Sequence, residues 1–126
     1  MDHARRLIVM HFHGSESLGR RTTRVALSKD GIDFQARPEI LGRTHLRNFL
    51  HGGRTYAIAM PVRVRRSRPE DGLSDFEEGP LPFNPDMFHW ALLKRGGILH
   101  VSSTQIRHAP ERTLLSAIDL SLPLDQ

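Results

Sequence analysis

The chain has 126 residues, 38% of them hydrophobic and 25% charged, which is room for one globular domain around a modest core. It has no cysteine, so disulfides, thiol catalysis and cysteine-ligated zinc are excluded. Its net charge of +4 rests on 18 Lys and Arg against 14 Asp and Glu, and no apolar run approaches the ~18 residues that span a bilayer.

In chain order, Arg6–Phe12 reads as a mostly apolar strand, and Thr22–Ser28 alternates and opens on β-branched residues. Between these strands and the next group lies Ser28-Lys29-Asp30-Gly31, whose Asp-Gly pair suits a tight turn. A strand around His45–Leu50 leads through Gly52-Gly53 into a second, Thr55–Val62. A third runs toward Asp71-Gly72, and an irregular fourth ends near Pro80. Phe88–Lys94 then turns at Gly96-Gly97 into Ile98–Thr104. Eight prolines interrupt any long helix, and no stretch carries a helical stripe. The pattern predicts an all-β chain of short antiparallel strands.

Three internal echoes share one period. Asp30-Gly31 is repeated at Asp71-Gly72, Gly52-Gly53 at Gly96-Gly97, and Arg24–Ser28 at Arg112–Ser116. Such spacing, with strands as the local pattern, predicts four-stranded blades of a partial β-propeller. The expected divisions are the end of one blade at 1–42, a full blade at 43–85 and a partial blade at 86–126. An open set of blades exposes apolar faces carrying Ile8, Phe12, Leu115 and Ile118, so self-association is expected.

The stretch Arg24-Val-Ala-Leu-Ser28-Lys-Asp30-Gly31-Ile-Asp-Phe34 resembles the Ser-x-Asp-Gly-x-x-Phe hairpin of the five-bladed β-propeller glycosidase superfamily. Ile8–Gly14 is similar to the strand before that hairpin, and Met87–Leu93, Gly97–Val101 and Ala109-Pro110-Glu111-Arg112 resemble a later blade. The resemblance implies a glycosidase-like protein that binds carbohydrate or hydrolyses glycosides as part of a longer or assembled propeller. It leaves open whether the chain itself is an enzyme. The alternative is a non-catalytic interaction module or an inactive truncated fragment.

In a propeller the innermost strands line a central channel, and ligands bind at its mouth. That places Arg43, His45 and Arg47 from one blade with Asp86, His89 and Trp90 from the next. Glycoside hydrolysis needs two carboxylates about 5–5.5 Å or ~6.5–9.5 Å apart. Glu16, Glu39, Glu77, Glu78, Asp86 and Glu111 are available, and Asp86 and Glu111 are the catalytic candidates. Alternatively, Asp86 caps the Asn84-Pro85-Asp86 turn, and Glu111 pairs with Arg107 or Arg112. His11, His13, Arg47, His89 and Arg107 are the candidates for sugar hydroxyls. His11 and His13 share one strand face without an evident third ligand, so no metal or other cofactor is expected.

Arg63–Arg68 reads as a solvated basic loop rather than a nucleic-acid groove, because aromatics are only 6% of the chain. No membrane association is expected. Leu7–Met10 is too short for a signal-peptide core, and the expected location is the cytoplasm.

Overall fold

A computed structural model describes residues 2–3, 5–68, 72–74 and 76–123, and all regular structure among them is β. The strands form three antiparallel sheets in chain order. In the first, β1 (Ile8–Ser17) pairs with β2 (Arg20–Ser28), whose other edge carries β3 (Gln35–Ala36) and β4 (Gly42–Arg43). Pro38 stands in the gap between β3 and β4 and has no N–H for a ladder. The second sheet runs in sequence order through β5 (Arg47–His51), β6 (Arg54–Ala59), β7 (Arg63–Ser67) and β8 (Phe76–Glu78). The third runs through β9 (Met87–Arg95), β10 (Ile98–Gln105) and β11 (Leu114–Asp119).

The middle sheet is buried on both faces. On β6, Ala57 and Ala59 join Val25, Leu41, Leu46 and Leu73 in a core shared with the first sheet. Between them Ile58 points the other way and joins Val62, Trp90, Leu99 and Val101 in a core shared with the third. The period of two alone separates them. Ile58, Leu99 and Val101 are wholly buried, and each such side chain contributes about 1.5–3 kcal/mol relative to exposure. The expected exposure of Ile118 is therefore corrected. It packs against this second core, whereas Leu115, on the outward phase of β11, is 70% exposed.

The Ser-x-Asp-Gly hairpin has a hydrogen-bonding reason. Ser28 Oγ accepts the Gly31 N–H at 2.8 Å, and Asp30 Oδ1 accepts those of Ile32 and Asp33 at 2.9 Å each. Gly31 has φ 81°, and a Cβ there would meet Ile8 Cδ1 at 3.0 Å. Gly72 has φ 67°, and a Cβ there would lie 2.8 Å from Thr55. Both glycines thus close onto the beginning of another strand of their own sheet. Asp71, the other half of the second Asp-Gly pair, lies outside the described residues.

The basic run is not a solvated loop, which corrects that expectation. Residues 63–67 are strand β7, and its neighbour β8 supplies the counter-charges. Glu77 accepts from Arg66 at 2.9 Å and from Arg68 at 2.7 Å. The buried Arg65 pairs with Glu78.

Candidate functional site

Two β-bulges aim the site. In β9, Ala91 pairs with Ser102 but Phe88 pairs with Thr104, so His89 and Trp90 together face the single residue Ser103. His89 takes φ 45° at this bulge. The extra residue changes the phase of the strand, so Met87 and Trp90 are both buried and His89 is turned outward. Trp90, expected in a channel, is instead 3% exposed in the core between the second and third sheets. In β1 the register shifts between Ser15 and Ser17, leaving Glu16 as the extra residue. Both Glu16 carboxylate oxygens accept from Arg24 at 2.9 Å, and Thr22 donates at 2.8 Å. These bonds hold the Glu16 carboxyl down at about 2.

Three histidines, one associated with each sheet, converge. His45 precedes β5 with φ 61°. Its ring lies 5.2 Å from that of His13 on β1 and 5.3 Å from that of His89 on β9, centroid to centroid. Phe88 is 4.9 Å from His45 and 4.1 Å from His89. Thr44 Oγ1 is 3.0 Å from His45 Nδ1. Burial lowers the His45 imidazole below its ordinary value, and positive charge from His13, His89, Arg47 and Arg21 lowers it further. Among the described residues, no group of three or more His, Asp or Glu side chains is arranged to hold a metal ion.

Two open clefts border the cluster, one through Thr44, the neighbour of His45, and one through Phe88 and His89. One, of about 720 Å³, is lined by Thr44 with Arg21, Arg43, Ser15 and Ser17. The other, of about 380 Å³, is lined by Phe88 and His89 with Gln105, Arg107, His108 and Glu111. It gathers three of the sequence candidates: His89, Arg107 and Glu111. Arg107, like His45 and His89, holds a left-handed backbone, with φ 63°. Non-glycine residues are costly there and concentrate at functional sites.

The carboxylates separate by elimination. Glu16, Glu39, Glu77 and Glu78 are each engaged by an arginine. Asp86 and Glu111 form no ion pair among the described residues. Glu111 therefore does not pair with Arg107 or Arg112. The turn before β9 is capped by Asn84, whose Oδ1 accepts the Asp86 N–H at 2.9 Å, so the Asp86 side chain is not the cap. The Asp86 carbonyl accepts the Ile106 N–H at 2.8 Å, which ties it to the second cleft. Arg47 donates to the Leu46 carbonyl at 3.1 Å.

His11 is placed differently from His13. Its Nε2 is 3.4 Å from the Gly72 carbonyl and its Nδ1 is 3.4 Å from Asn48 Nδ2. It is half-buried and joins the first sheet to the second. The sequence reading placed His45 in the channel but did not single it out as a ligand. A signal was present: His45 and His89 share the 44-residue spacing of Leu50 and Lys94, which are themselves joined by a 2.7 Å hydrogen bond.

No protein-family model, no curated protein and no solved structure matches the chain.

Proposed function

We propose that the chain is a carbohydrate-binding part of a glycosidase-like propeller. Its three sheets are read as successive blades, with ligand bound where His13, His45 and His89 meet. That convergence is the observation that carries the reading. Imidazoles and arginines hydrogen-bond hydroxyls, and the half-buried Phe88 offers an aromatic face beside them. Two backbone outliers, His45 and His89, hold the arrangement against local strain.

In this reading the chain binds sugar, and Asp86 and Glu111 are the carboxylates for hydrolysis in a longer or assembled protein. Both are exposed and free of ion pairs among the described residues. The test is isothermal titration of the chain with a panel of oligosaccharides. Binding that is lost in Phe88→Ala and His89→Ala but kept in Arg95→Gln supports the reading. Equal loss in all three points to a general charge or folding effect and refutes it.

A second reading is a non-catalytic assembly module, favoured by the accessible surface. The chain exposes 8168 Å², against about 6,800 Å² for a compact monomer of this mass. The extra area, about 1,400 Å², exceeds the roughly 800 Å² that each partner buries in a standard interface.

A further inference from the structure

Three arginines near the histidine cluster stand without a carboxylate partner among the described residues. Arg24, Arg37, Arg65, Arg66 and Arg68 each meet a glutamate. Arg21, Arg43 and Arg47 meet no carboxylate among the described residues, and neither do His13, His45 and His89. Arg54, Arg95, Arg107 and Arg112 are unmatched as well among the described residues, and what distinguishes Arg21 and Arg43 is that they share one cleft with hydroxyl groups. Thr22 pairs with Arg43 across β2 and β4, and Arg21, next to Thr22, shares the first cleft with Arg43. Thr44, on the wall of that cleft, contacts His45.

We propose that the site takes a glycan bearing an anionic group, either a carboxylate or a sulfate ester, with the anion seated in the first cleft by Arg21 and Arg43. This rests on the carbohydrate reading above and adds the class of sugar. Guanidinium groups bind planar or tetrahedral oxyanions through paired, charge-assisted hydrogen bonds. Ser15, Ser17 and Thr44 add hydroxyl partners on the same wall. The second cleft carries Arg107, His89 and His108 beside Glu111, and its Phe88 face takes a further sugar ring. His45, next to Thr44 on the first wall and 5.3 Å ring to ring from His89 on the second, is placed to contact the units that join them.

The experiment is calorimetric titration of the full chain, at fixed ionic strength, with three series of oligosaccharides of matched length: neutral, uronate-containing and sulfated. One anionic series binds more tightly than the neutral series, and which one does so identifies the anion. Arg21→Gln and Arg43→Gln each weaken that series about tenfold, the loss of one charge-assisted hydrogen bond, and leave neutral sugars unchanged. Both arginines are exposed, so the variants fold, and an unchanged melting curve verifies this. Arg95→Gln, on the far end of β9, changes neither series. Equal binding of neutral and anionic sugars overturns the inference and leaves the carbohydrate reading standing. Equal loss in Arg95→Gln, or inorganic sulfate binding as tightly as the glycans, also overturns it. Absence of binding in all three series refutes the carbohydrate reading itself.

Discussion

His45 and His89 meet edge to face with ring centroids 5.3 Å apart, and each holds a left-handed backbone, with φ 61° and φ 45°. They occupy corresponding places before the Gly-Gly turns of the second and third sheets. Histidine placed twice where glycine is the ordinary choice retains strain at the point where the sheets meet.

The first prediction follows from that strain. His89→Gly removes a left-handed non-glycine residue, which costs roughly 1–2 kcal/mol, and raises the melting temperature while abolishing glycan binding. His89→Val puts a β-branched side chain at the bulge and lowers it. Thermal melts of the two variants check the opposite signs.

A second prediction concerns the middle sheet. Ala57 is wholly buried between the first and second sheets. Ala57→Leu overpacks that interface and costs about 1–3 kcal/mol. Ile58→Ala, one residue away, empties the opposite core and costs about 2–5 kcal/mol. Denaturant unfolding measures both, and a neutral Ala57→Leu would contradict the placement of β6.

Much of this architecture was legible in the sequence, for reasons that can be named. Gly52-Gly53 and Gly96-Gly97 form the turns they predict, because the positive φ at Gly52, Gly53 and Gly96 is cheap for glycine. Tyr56–Ala59 reads as a strand because a short apolar run bounded by turn residues suits a strand buried on both faces. The bulge at His89-Trp90 left no such mark. One added residue shifts the phase without breaking the run, and a histidine at positive φ resembles any other strand residue. Trp90 was therefore assigned to the channel when it belongs to the core. The charge pattern at Arg63–Arg68 misled for a related reason: its partners, Glu77 and Glu78, become neighbours only through the β7–β8 pairing. The echo of Arg24–Ser28 at Arg112–Ser116 links β2, flanked on both edges, to β11, an edge strand. Of the sequence candidates, Glu111, Arg107 and His89 line one cleft, and the proximity of His45 to both His13 and His89 is visible only in the fold.

The third prediction distinguishes two ion pairs on one strand. Arg65 is buried, so Glu78→Gln leaves a buried guanidinium without its counter-charge. The exposure of Glu78 itself moderates the loss to about 1–3 kcal/mol. Glu77→Gln breaks partly exposed pairs and costs under about 1 kcal/mol. Chemical denaturation of the two variants should rank them in that order.

Acid should destabilise the chain in two stages. Burial lowers His11, and burial together with neighbouring positive charge lowers His45, both from 6.5. A base whose folded pKa lies below its unfolded value binds more protons when unfolded, so stability falls as pH drops below about 6.5. Glu16 behaves as a depressed carboxyl, with stability present above 4.5 and lost as pH falls toward about 2. Melting temperatures from pH 7 to pH 2 should show both declines. His11→Gln flattens the first and Glu16→Gln the second, and a melting temperature constant between pH 7 and pH 5 would contradict the account.

Assembly gives the fifth prediction. The surface of 8168 Å², with Leu115 at 70% and Leu50 at 64% exposure, predicts concentration-dependent self-association by light scattering. Leu115→Lys on the edge strand β11 should shift it toward monomer. A monodisperse monomer at all concentrations would contradict this.

The most direct measurement of the central claim is histidine-ring NMR on the isotopically labelled chain, titrated with the tightest-binding oligosaccharide of the panel. The account predicts that the ring resonances of His13, His45 and His89 move together with one affinity, while those of His51 and His100 stay fixed. Saturable binding that moves His51 or His100 and leaves the three clustered rings unchanged would place the sugar elsewhere and contradict it.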